Sequence, residues 1–154
     1  MTAREVFEAA RGAARRIEEL QFDMCLDAPP SKGGHGATSP GASDPTGRAA
    51  EWRVDAMADM ASEMCECERA VGYALGVIEG VRAGLGERYA VVLDRYYIDG
   101  EGWGDVSEGL GVARSTIVRW RDIAFDWIDS VGQAHAIRGT KPSKWDEFTP
   151  SSPK

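Results

Sequence analysis

Apolar residues recur along this chain at alternating steps of four and three, the spacing that lines one face of an α-helix. The first such run is Val6, Ala10, Ala13, Ile17, Leu20 and Met24, with Arg15, Arg16, Glu18 and Glu19 largely outside the stripe. Thr2 followed three residues later by Glu5 matches a capping box, in which hydroxyl and carboxylate each satisfy a backbone N–H that a first helical turn leaves unpaired. The pattern predicts an N-terminal helix within residues 1–28, ended by Pro29 and Pro30, which cannot continue a hydrogen-bonded helix.

The segment from Ser31 to Ser43 has no large apolar side chain to offset the entropy of ordering it, so residues 29–43 read as a flexible linker. Asp44 and Pro45 then restart a helix, the carboxylate as cap and the ring at the first helical position. A second stripe follows at Met57, Met60, Met64, Cys67, Val71, Ala74, Ile78, Val81 and Leu85, within a long helix over 44–85. Two stripes joined by a loop predict an antiparallel helical hairpin whose apolar faces close on each other or on the rest of the core; a dimeric coiled coil is the alternative use of the same heptads. The second helix also carries Gly72, Gly76, Gly80 and Gly84, each weakening it by about 1 kcal/mol against Ala. Glu79 and Arg82 argue against a lipid-embedded glycine motif, which leaves close approach of another helix or local looseness.

Residues 86–132 read as three short helices separated by glycine turns. The first, about Glu87 to Tyr97, is predicted to bury Val92, Leu93 and Tyr96 and to stop at Asp99-Gly100. The second, about Trp103 to Leu110, offers Trp103, Val106 and Leu110. The third, after Gly111-Val112, offers Ile117, Ala124, Phe125 and Ile128. A short helix, a glycine-containing turn and a longer helix with polar groups on its first turn form a helix-turn-helix pattern. Arg114, Ser115, Thr116 and Arg119 are the candidates for base contacts in a major groove, because arginine bonds guanine bidentately and hydroxyls suit most bases. Arg95 and Arg121 are the candidates for phosphate contacts. The expected fold is all-α: an N-terminal antiparallel hairpin plus this C-terminal module.

Composition narrows the function. The chain has 154 residues, 43% of them apolar, and a formal charge of -7, so it does not coat nucleic acid or anionic lipid by bulk positive charge. Residues 85–138 hold six arginines against nine carboxylates, a net of -3, which predicts modest intrinsic DNA affinity and an advantage for a dimer or a DNA-bound partner. Three cysteines, Cys25, Cys65 and Cys67, argue against a secreted disulfide framework. The N-terminus has no apolar signal core, and no stretch approaches a membrane span, so a cytoplasmic protein is expected. Cys65 and Cys67 with only His35 and His135 lack zinc-site spacing, and neither histidine sits in a catalytic motif; no phosphate-binding glycine loop of the Gly-x-x-x-x-Gly-Lys type occurs. No enzyme activity, cofactor, metal or small-molecule substrate is expected. The tail over 133–154, with Trp145 and Phe148 among Pro, Ser and charges, is predicted to be disordered, with a short docking peptide as the functional alternative.

The run Leu93-Asp94-Arg95-Tyr96-Tyr97, then Val106 through Ile117, then Ala124-Phe125, resembles the region 4 helix-turn-helix of sigma factors. The whole layout is similar to the ArpU/RinA-type phage late-gene transcription regulators, which pair an N-terminal helical part with such a module. The resemblance covers about residues 86–130, and over 1–85 it rests on layout. It implies double-stranded DNA binding and transcription control in a phage or prophage, with base contacts at Arg114, Ser115 and Arg119 and host RNA polymerase as a further partner. The sequence departs from the sigma pattern at Ala113, where a capping hydroxyl is usual, and at Val118 and Ile123, where basic residues are common; Trp120 adds a large ring. Two other readings compete: a packaging protein resembling a small terminase subunit, whose hairpin oligomerises, and a polymerase-docking adaptor that does not bind DNA.

Overall fold

A computed structural model describes residues 1–26, 45–133 and 136. The expected linker over 29–43, Asp44 as a cap, His35, His135, and the tail beyond Ala136 with Trp145 and Phe148 lie outside the described residues. Among the described residues all regular structure is helical. The elements are α1 (Ala3–Leu26), α2 (Pro45–Gly84), α3 (Glu87–Leu93) running into a π-helical turn (Asp94–Ile98), α4 (Trp103–Leu110) and α5 (Arg114–Val131).

The reciprocal cap that starts α1 is formed. The Thr2 backbone N–H donates to Glu5 Oε2 at 2.6 Å, and the Glu5 N–H donates to Thr2 Oγ1 at 3.3 Å. The first of these bonds holds the Glu5 carboxyl below its ordinary value. Val6, Ala10 and Leu20 of the apolar stripe are buried, and Ala13, Ile17 and Met24 are half-buried. Ala3, which continues the stripe, and Phe7, one position off it, are fully buried too, because the start of α1 is enclosed by α2 and α5 and buries a wider arc than a two-helix seam.

The start of α1 packs against the end of α2: Phe7 and Ala10 share a core with Ala74, Val77, Ile78 and Val81. Further along, Arg16 Nε donates to Glu63 Oε1 at 2.7 Å, so the two helices run antiparallel. The α2 stripe is buried only at this inner end. Met60, Met64, Cys67 and Val71 are half-buried, and Met57 is 44% exposed.

Two of the ridge glycines have a packing reason. A Cβ on Gly80 would overlap the carbonyl of Ala136, and one on Gly84 would overlap the indole of Trp127 in α5. Gly72 faces open space. Ala136 therefore lies against α2 at Gly80 and is fully buried. Gln133 Nε2 donates to the Met1 carbonyl at 2.7 Å, and Tyr73 Oη donates to Gln133 Oε1 at 3.1 Å. Gln133 and Ala136, on the tail side of the boundary expected at 132/133, thus touch the helical body, Ala136 where Gly80 has no side chain.

The tyrosine expected to be buried also changes. At the end of α3 the Asp99 N–H bonds to the Asp94 carbonyl at 3.0 Å, five residues back, and Tyr97, four residues after Leu93 and seven after Ala90, keeps to the face that those two bury. Tyr97 is buried and Tyr96 is only half-buried. Tyr97 closes an aromatic triad with Phe7 of α1 and Phe125 of α5, with ring centroids 5.4 to 5.8 Å apart. Burial raises its phenol above the ordinary value.

Two outcomes follow from this packing. Gly80→Ala should destabilise the fold by about 1–2 kcal/mol net, because backbone must move, whereas Gly72→Ala should stabilise it by roughly 1 kcal/mol through helix propensity; denaturant melts of the two variants measure the contrast. Burial, and then the nearby Asp99, raise the Asp94 carboxyl above its ordinary 3.8. A raised folded-state value means that ionisation costs the fold: stability falls as pH rises from 3.8 through the folded value and stays lower above it. Asp94→Asn should therefore raise the melting temperature at about pH 7 and leave it unchanged at about pH 3, as read by calorimetry.

Candidate nucleic-acid interface

Helices α3, α4 and α5 share a small core of their own, Val92, Val106 and Ile117, one residue from each, flanked by Tyr96, Trp103, Leu110, Val112 and Trp120. One apolar anchor per helix fixes the three in a tripod with little apolar area, so the connections between them carry more of the geometry. The turn between α4 and α5 is Gly111-Val112-Ala113. Gly111 has φ 64°, the left-handed conformation that is cheap for glycine and ends α4. Ser107 Oγ donates to the Val112 carbonyl at 2.6 Å, and the Val112 N–H donates to the Ser107 carbonyl at 3.2 Å, so the turn is pinned from α4.

Ala113 stands at the α5 cap in extended conformation with no side-chain bond to the first turn. The Thr116 and Ile117 N–H groups bond to its carbonyl. Arg114, Ser115 and Arg119 are exposed, and Thr116 is half-buried. The four base-contact candidates thus occupy the first turn and a half of one helix, three of them open to solvent.

The two phosphate candidates are placed differently. Arg95 is 27% exposed; its Nε donates to Glu101 Oε1 at 3.1 Å, and Nη2 lies 2.9 Å from Glu101 Oε2. Its guanidinium also occupies the space where Gly109 of α4 lacks a side chain. Arg121 is 15% exposed, donates twice to Asp122 Oδ1 at 2.6 and 2.9 Å, and lies over the Trp103 ring. Both arginines tie the module to itself, and their donors already face carboxylates.

An aromatic ladder joins the hairpin to the module. Arg11 of α1 lies 3.8 Å from the Tyr96 ring centre, Tyr96 stacks on Trp103 at 3.7 Å and 15°, and Arg121 covers the far side of Trp103 at 5.3 Å. On the other flank, exposed Arg88 on the first turn of α3 lies over Tyr89 and Trp120, a position that the sequence patterns did not single out. The unexplained large ring of Trp120 was the signal that could have found it.

No described helix is long and apolar enough to cross a membrane, and no group of three metal-ligating side chains lies together among the described residues. No protein-family model matches the chain, and comparison with characterised proteins and with solved structures yields no similar one.

Removing the hydroxyl that pins the turn should loosen it without unfolding the molecule. Ser107→Ala is expected to cost about 1 kcal/mol, with faster amide exchange at Val112, measurable by denaturation and by hydrogen exchange.

Proposed function

We propose that this chain is a sequence-specific double-stranded DNA-binding transcription regulator of the phage or prophage kind. In this reading α4, the Gly111 turn and α5 act as a helix-turn-helix, with the amino end of α5 in the major groove. The observation that carries the reading is that Arg114, Ser115 and Arg119 are exposed at the start of a helix held by a pinned three-residue turn, while Arg95 and Arg121 turn their guanidiniums to Glu101 and Asp122. Arg114 and Arg119 read bases, Ser115 and Thr116 adjust to them, and the uncapped first turn of α5 suits a neighbouring phosphate. Arg95 and Arg121 serve the site by holding α4 and α5 in register.

The phage assignment rests on the resemblance of Leu93–Tyr97, Val106–Ile117 and Ala124-Phe125 to the ArpU/RinA pattern. Two features support joint action with a second copy or with RNA polymerase: the module's excess of carboxylates over arginines, and the half-covered outer stripe of α2 around Met57 and Met60. Duplication of a weak module raises occupancy through effective concentration.

Selection of the full chain on a random duplex library should enrich one motif. Arg114→Ala and Arg119→Ala should each weaken binding to that motif by about 1–3 kcal/mol, with unchanged circular dichroism. A library with no enrichment, or undiminished binding by the double variant, would overturn the reading.

A further inference from the structure

Within the module, charge is divided unevenly. Arg95 and Arg121 face Glu101 and Asp122, while among the described residues Arg88, Arg114 and Arg119 form no ion pair. The acid next to Arg88, Glu87, is itself engaged, at 2.7 Å from Arg82 Nε. Arg88 is held by aromatic surface instead: its guanidinium carbon lies 4.8 Å from the Tyr89 ring centre and 5.6 Å from that of Trp120, and Nη2 donates to Tyr89 Oη at 3.0 Å. The two rings meet edge to face, with centroids 6.3 Å apart. A guanidinium lying on an aromatic face keeps most of its in-plane N–H donors available, whereas one clasped by a carboxylate does not.

Place matters as much as charge. Trp120 sits next to Arg119 and one turn after Thr116 on α5, and helical side chains lean over the turn that precedes them. Its ring therefore extends toward the first turn of α5 and holds the α3 cation beside it. We propose that Arg88 is a phosphate-contacting residue flanking the amino end of α5, and that Trp120 is its positioning residue. The proposal rests on the DNA-binding reading above and adds to it a backbone contact supplied from α3. The ligand is the phosphodiester backbone, so the contact is indifferent to base sequence.

The test titrates the full chain, wild type and variants, with the duplex selected by wild type and with an unrelated duplex over a series of salt concentrations. Each phosphate contact contributes about 0.9 to the slope of log K against log salt. Arg88→Ala should lower the slope by about that amount and weaken both duplexes by the same factor, whereas Arg119→Ala should weaken the selected duplex more. Trp120→Phe, which keeps an aromatic face, should retain the wild-type slope. Trp120→Ala should reproduce the Arg88→Ala slope, and the double variant should lose nothing further. An Arg88→Ala slope equal to wild type overturns the proposal and leaves the DNA-binding reading standing; a wild-type chain that binds neither duplex overturns both. If Trp120→Ala fails to fold, the Arg88→Ala and Trp120→Phe slopes decide the matter.

Discussion

The widened turn at Asp94–Ile98 is the constraint on which the rest of the molecule depends. Tyr97 stands four residues after Leu93 and seven after Ala90, on the face that those residues bury, and the turn closed by the Asp99-to-Asp94 hydrogen bond leaves Tyr96 beside it, half-buried. Tyr97 then fills the space between Phe7 and Phe125, so one residue seals α1 to α5. Tyr96 stacks on Trp103 under Arg11 and fixes the start of α4 against α1. Hairpin and tripod are thus joined through adjacent residues of one irregular turn, which agrees with the tendency of such insertions to occur where a fold has a job to do.

The second organising feature is the allocation of charge. A net of -3 over the C-terminal segment reads as a poor electrostatic surface when summed along the chain. In three dimensions Glu101, Asp122 and Glu87 are each taken up by an arginine that serves packing, namely Arg95, Arg121 and Arg82. Arg88, Arg114 and Arg119 are left outside any ion pair among the described residues, as is the exposed Glu108 of α4. Surface ion pairs of this kind add little stability, but they decide which cations stay available to a ligand.

The glycine ridge shows the same division of labour within a single helix. Gly80 and Gly84 admit Ala136 and Trp127 against the inner half of α2, while Gly72 meets nothing. Among the described residues the outer half of α2 keeps its apolar stripe only partly covered.

Much of this was legible in residue order, because it depends on neighbours. The Thr2–Glu5 cap, the limits of α4 from Trp103 to Leu110, the left-handed Gly111 and the start of α5 at Arg114 are all set by interactions spanning at most five positions, and periodicity identified Ile117, Ala124, Phe125 and Ile128 as buried. Which arginines are spent on carboxylates, why Gly80 has no side chain, and how Arg88 comes to lie on Trp120 could not be read that way. Each depends on residues far apart in the chain meeting across helix faces, and a helical repeat says which side of a helix is apolar but not what will be pressed against it.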